Sequence, residues 1–135
     1  MSEKLFNVGI KAVITQGDKV LLVDNVKRRH DTWEFPGGRM DGNETIEETL
    51  RRELTEELPN IKNIKIGALL GAHRIHHDIK EKVSLVLIFY KVEAEFDGEV
   101  QISDEHKDFR WVTLNEAKKL AGPWAAELLA AVLDH

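Results

Sequence analysis

Between Thr45 and Leu58 the apolar residues fall at Ile46, Leu50, Leu54 and Leu58. That strict four-residue spacing lays one stripe along roughly four turns of α-helix, and a strand's two-residue period does not produce it. A striped helix has to bury its stripe against another layer. The flanks say which kind of layer. Residues 5 to 15 and 19 to 26 are rich in Val, Ile and Leu with QGDK between them, the pattern of a β-hairpin with a Gly-Asp turn. Two more strands are expected after the helix, at 61 to 76 and 81 to 95, joined by a turn around HHDIKE; the second contains the apolar run SLVLIFY.

The remaining segments fill in an α/β order. The charged loop VKRRHD leads to WEF and then PGG, where a proline and two glycines are expected to rule out regular structure. Near the end come a short strand at FRWV, a helix from Leu114 to Leu120, and a helix from Pro123 with Trp124, Leu128, Leu129 and Val132 as its core face. Proline is favoured at a helix start because its missing N–H has no partner there anyway. With no linker and no repeat, residues 1–135 read as one domain, a mixed sheet with helices packed on its faces.

Composition removes several function classes. With 42% apolar and 32% charged residues the chain is neither disordered nor fibrous. It has no cysteine, which excludes a disulfide framework and thiol chemistry and makes a cytoplasmic address the default. The N-terminal stretch lacks a long apolar segment, and the run Leu85 to Tyr90 is far too short to span a bilayer, so no membrane association is expected. A net charge of -5 argues against a broad nucleic-acid surface and leaves room for a small phosphate-bearing ligand held locally or through a cation.

The same helix carries an unusual set of charges, RRELTEELPN at residues 51–60. On the wheel Glu53 and Glu57 lie one turn apart at the edge of the apolar stripe, with Glu56 beside them. Like charges at these spacings repel, and the C-terminal half of a helix prefers cations. Arg52 can pair with Glu48 and Glu56 but not also with Glu53 and Glu57. Two readings of the helix stand side by side: a solvated acidic face, or carboxylates gathered to bind a hard divalent cation.

The longer context separates them. From Gly38 the spacing runs Gly38, five residues, Glu44, seven residues, Arg52-Glu53-Leu54, one residue, Glu56-Glu57. This resembles the Nudix box, G-x5-E-x7-R-E-U-x-E-E-x-G-U with U a bulky apolar residue, and every charged element is in register. WEFPGG before the box and EHKDFRWVTLNEA near the end are similar to flanking segments of the same family. The chain departs from the pattern after the last Glu-x pair, with Pro59 in place of Gly and Asn60 in place of an apolar residue. Proline still ends the helix, but access to the left-handed exit that glycine provides is lost.

The resemblance implies the Nudix α/β/α sandwich, a mixed β-sheet between helices. It also implies Mg²⁺- or Mn²⁺-dependent hydrolysis of a nucleoside diphosphate linked to another moiety. By resemblance Glu53, Glu56 and Glu57 are metal ligands with the Gly38 carbonyl as a further one. Arg52 and Glu44 form a buried ion pair that fixes the loop and orients Glu53. The general base is Glu53 or, from the later loop SDEHKD, Glu105. His106 stands next to Glu105 and is read as a surface histidine, with proton shuttling as the alternative.

Other features are less specific. His73 and His77 share a strand face while His76 points away, which disfavours a dedicated zinc site and leaves His73 as a candidate substrate contact. Arg28 and Arg29 precede WEF, where a substrate phosphate or base could lie. Trp33, Phe35 and Trp111 are read as scaffold rather than base-stacking residues. The sequence tags of ADP-ribose, dinucleoside polyphosphate and NADH-type hydrolases are missing. The expected substrate is therefore a small nucleotide, a (d)NTP or modified nucleotide as in MutT-like enzymes, acted on by a monomer or homodimer. Hydrolysis of a sugar nucleotide or of an RNA 5′ end, and nucleotide sensing without cleavage, are the alternatives.

Overall fold

Strand β1 (Leu5–Gln16) runs through the middle of a seven-stranded mixed sheet. One edge of β1 pairs in parallel with β6 (Val83–Phe96), from Leu5 opposite Val83 to Ile14 opposite Val92. The other edge is shared between two antiparallel neighbours, β4 (Gly37–Arg39) at Gly9 to Lys11 and β2 (Lys19–Asn25) at Thr15 and Gln16. β5 (Ile61–Lys80) lies outside β6, and β2 is flanked by β3 (Trp33–Glu34) and β7 (His106–Thr113). The computed structural model describes residues 3–25, 33–121 and 128–130.

Alternation along β1 divides two cores. Ile10, Ala12 and Ile14 face helix α1 (Ile46–Glu57), whose Leu50 and Leu54, with Leu58 just past its end, are fully buried against them and against Leu21 and Val23. Val13 points the other way, with Val20 and Leu22, toward α2 (Leu114–Ala121) and the helical residues 128–130, which contribute Ala117, Leu128 and Leu129. A sheet with both faces covered suits the parallel β1–β6 pair. The architecture is the expected α/β/α sandwich. Each of these leucines stabilises the fold by about 1.5–3 kcal/mol through burial, and truncating one to alanine costs about 2–5 kcal/mol.

The hairpin forms as read, and Gly17 has φ 61° while Asp18 keeps a negative φ, the pattern of a type II′ turn. The long strands run further than expected: β5 continues through HHDIK, and the turn sits at Glu81 and Lys82. β7 begins at His106 rather than at FRWV. The PGG segment is a correction, because its glycines do not form a loop but the short strand β4. Gly37 has φ 139°, and a Cβ there would stand 2.1 Å from the Ile10 carbonyl oxygen. Glycine lets two backbones approach where a side chain would separate them.

The expected helix from Pro123 falls largely outside the described residues, as do Arg28 and Arg29. Among the described residues no helix is long and apolar enough to cross a membrane.

Candidate active site

The start of α1 is built from local sequence. Thr45 is the N-cap, its hydroxyl accepting from the Glu48 N–H while Glu48 accepts from the Thr45 N–H. This reciprocal box satisfies two helix-end donors. Immediately before it Glu44 accepts from the Asp41 N–H and the Thr49 hydroxyl, which closes the turn.

Arg52 joins this turn to the rest of the site. Its Nε and Nη2 grip the two oxygens of Glu44 at 2.6 and 2.9 Å, a bidentate fork that lysine cannot make. Nη2 also donates to the Arg39 carbonyl at 3.3 Å, and Nη1 donates to Glu53 at 2.8 Å and to Glu56 at 3.4 Å. Arg52 therefore reaches Glu53 as well as Glu56, more than helix spacing alone suggests. The pair with Glu44 is half-buried, with 35% of the Arg52 side chain exposed. The Arg52 hydrogen bond is the main cause that holds the Glu44 carboxyl down to about 2.

Glu53 is pressed against Gly38. A Cβ on Gly38 would stand 2.3 Å from the Glu53 carboxyl carbon, so no other residue fits there without displacing that carboxylate. Burial pushes the Glu53 carboxyl above its ordinary range, the charges of Glu57 and Glu56 add to the rise, and Arg52 pulls against it. The β1–β4 ladder has Ala12 N–H bonded to the Pro36 carbonyl and Met40 N–H to the Val8 carbonyl. Its alternation turns Gly38's carbonyl toward Ile10 and frees Gly37's N–H.

That N–H donates to Glu57 Oε2 at 2.7 Å. Glu57 is only 3% exposed, and its other oxygen lies 2.8 Å from His106 Nε2. His106 is the second correction: it is not a surface histidine but 6% exposed, sealed against the helix end. Burial is the largest single effect on its imidazolium and opposes it. The Glu57 hydrogen bond and the charges of Glu57, Glu34 and Glu105 outweigh that penalty and leave its pKa raised. Among the described residues Nδ1 has no hydrogen-bond partner, which assigns the bonding proton to Nε2, since a buried N–H without an acceptor is the costlier state.

Glu105 is exposed beside this pair, and ligand atoms of Glu57, Glu105 and His106 all lie within 4.8 Å of one another. The cluster is able to hold a divalent metal ion. Together with Glu53 and Glu56 it lines one cleft of about 350 Å³. Oxygen donors predominate, and the donor set fits a hard cation that also keeps waters and substrate oxygens.

The cleft also holds residues that sequence reasoning passed over. Lys11, 4.0 Å from Glu34, and Arg39 bring positive charge to the wall, and Gly9, Leu85 and Leu87 supply an apolar part. Gly9 and Lys11 two apart on β1 are a same-face pair, which was the available signal. Trp33 and Phe35 are core residues and Trp111 packs edge-on against Phe96, in line with their reading as scaffold. His73 is half-buried on β5 opposite Leu87, a cleft residue, while the side chains of His76 and His77 lie outside the described residues.

A family model described as the NUDIX domain matches residues 5–132. The chain belongs to the Nudix family. The Nudix chain is 33% identical over 90 residues to the rat bis(5′-nucleosyl)-tetraphosphatase [asymmetrical], a match covering 66% of this chain and 60% of that protein. It thus spans less than two thirds of the rat enzyme's length. It is 31% identical over 114 residues to a protein named putative 8-oxo-dGTP diphosphatase 2 from Mycobacterium tuberculosis, covering 83% of this chain and 77% of the relative. The solution structure of the E. coli ORF135 protein is similar at a TM-score of 0.77 and 26% identity, over 97% of this chain and 91% of that one.

Proposed function

We propose that this protein is a metal-dependent hydrolase that cuts the pyrophosphate linkage of a small nucleotide, a (d)NTP or modified nucleotide in the manner of MutT-like enzymes. The observation that carries this reading is the convergence of Glu53, Glu57 and Glu105 on one cleft that also presents Lys11 and Arg39. Glu53, Glu56 and Glu57 would hold Mg²⁺ or Mn²⁺, with Glu105 facing them; the Gly38 carbonyl, expected as a further donor, is instead turned toward Ile10 in the β1–β4 ladder. A cation held there would supply charge neutralisation on the phosphates and a lowered pKa for the attacking water.

The chain's own groups do the rest. Gly37 N–H and His106 fix both oxygens of Glu57, so that carboxylate presents one orientation. Arg52, held by Glu44, sets Glu53 against Gly38. Glu53 is the first candidate to accept the proton of the attacking water as the bond from phosphorus to the leaving phosphate oxygen breaks. Glu105 is the second candidate for that proton. Lys11 and Arg39 attract the phosphate chain, and the Leu85 and Leu87 wall takes the apolar face of the nucleoside. The named activity of the mycobacterial relative supports a nucleoside triphosphate as substrate.

A phosphate-release screen tests this reading. Purified protein is offered nucleoside triphosphates, sugar nucleotides, ADP-ribose, dinucleoside polyphosphates and 5′-triphosphate RNA, each with and without Mg²⁺. Turnover greatest on a nucleoside triphosphate and abolished by chelation is expected. Preference for another class would overturn the substrate, and tight nucleotide binding with no turnover would replace the enzyme by a sensor.

A further inference from the structure

Pro59 and Asn60, the two residues that leave the family pattern, stand at the exit of α1. Leu58, at φ -125°, ends the helix without a left-handed residue, and its N–H still bonds to the Leu54 carbonyl. The chain then turns so that Ile61 N–H reaches the Leu58 carbonyl and β5 begins. Asn60, between them, faces the segment that follows β6. Its Nδ2 donates to the carbonyls of Asp97 at 3.1 Å and Glu99 at 2.8 Å, and its Oδ1 accepts from the Gln101 N–H at 2.9 Å. Its own carbonyl accepts from the Asp97 N–H at 3.4 Å. A side-chain amide has two donors and one carbonyl, and here all of these functions are engaged by backbone from one segment.

That segment carries the late part of the site. Two residues beyond Gln101, the Ser103 N–H donates to the Glu57 carbonyl at 2.9 Å, and the His106 N–H then donates to the Ser103 carbonyl at 3.1 Å. Residues 97–103 are thus tied at two points to the end of the box helix, by Asn60 and by the Glu57 carbonyl. Beyond the second point come Glu105 and then His106, the first residue of β7. An apolar side chain at position 60 could make none of the Asn60 side-chain bonds.

We propose that Asn60 is a positioning residue, which clamps the 97–103 segment to the helix exit and so sets Glu105 and His106 at their distance from Glu57. The inference rests on the proposed reading in that Glu105 and Glu57 serve a metal-bound reaction. Its action is indirect, through the segment, and Asn60 touches neither metal nor substrate.

The test is a double-mutant cycle with Mn²⁺ as probe. Mn²⁺ affinity by electron paramagnetic resonance, kcat, KM and Tm are measured for the full chain and for Asn60→Ala, Glu105→Gln and the double variant. Asn60→Ala is expected to lower kcat about tenfold and to weaken Mn²⁺ binding, with KM within about twofold, the size typical of losing a group that orients a ligand. In the Glu105→Gln background it should add nothing to either quantity. Additive losses, or a lower Tm with unchanged kcat and Mn²⁺ affinity, would overturn the proposal in favour of a merely structural role. Asn60→Asp retains the acceptor for Gln101 and withdraws both donors, so it replaces the alanine variant if that one does not fold. Mn²⁺ binding separates this inference from the proposed reaction: coupling to Glu105 without wild-type turnover removes the reaction and keeps Asn60's role. Turnover indifferent to Asn60 does the reverse.

Discussion

The two ends of helix α1 are held by different kinds of interaction. At its start, among the described residues, every contact that fixes Thr45, Glu44 and Glu48 except the Arg52 fork spans five residues or fewer, and the capping bonds are exposed to solvent. At its exit, Glu57 is buried and bonded to Gly37, twenty residues away, and to His106, forty-nine away, while Asn60 grips Gln101 across forty-one. The first end stabilises a helix. The second brings carboxylates that repel one another to a cleft and holds them there, which is a cost to folding accepted for chemistry.

The sharpest way to break the comparison is Glu53→Gln. It removes a proposed metal ligand and the first candidate base together, and kcat is expected to fall about 10³-fold or more in a steady-state assay. The same variant should leave Tm of the metal-free protein unchanged or slightly higher at neutral pH, because an ionised carboxylate disfavoured by burial has been removed. Retained turnover would take Glu53 out of the mechanism. Next in size is His106→Ala, which leaves Glu57 with the Gly37 N–H alone; a loss of about 10–100-fold in kcat is expected. If kcat held, Glu57's orientation would owe nothing to His106.

Arg52→Lys probes the link between the two ends. It keeps the charge and loses the fork, and a fall in kcat of about tenfold is expected from the misplaced Glu53. Glu44→Gln sharpens the same link through pH. Glu44 has a folded value of about 2 against an ordinary 4.5, so the unfolded chain takes up this proton first as pH falls. The stability from its pairing is full above pH 4.5 and lost between 4.5 and about 2. Acid denaturation of Glu44→Gln should therefore show a shallower slope in that window than the wild type. The smallest effect belongs to the purely local end: Thr45→Ala should cost about 1 kcal/mol in urea unfolding and leave kcat as it was. A kcat loss in that variant would mean that the helix start, too, is tuned for the site.

The elements that rest on short-range pattern were legible beforehand. The Leu50, Leu54, Leu58 stripe and the Gly17 turn between two Val-, Ile- and Leu-rich strands each depend on residues a few positions apart, and all appear as read. The glycines of PGG misled because the same freedom that breaks a strand permits a close backbone approach. Only the presence of β1 beside Gly37 decides which applies. His106 looked like a surface residue since HKD is polar throughout; its burial comes from the end of another element. Lys11 sat inside an apolar strand, its same-face spacing with Gly9 the one local signal, and only the cleft gave that signal a meaning.

By itself the sequence determined which residues lie on one helix face, where the long strands run, and that carboxylates at box spacing crowd one end of α1. Tertiary structure alone decided that Glu57 is clamped by Gly37 and His106, that Glu105 stands beside it, and that Asn60 ties the two segments together. The physical reason is range. Helix and strand periods are set by backbone geometry between near neighbours, whereas hydrogen bonds across tens of residues exist only once the sheet and its covering helices have brought their partners within reach.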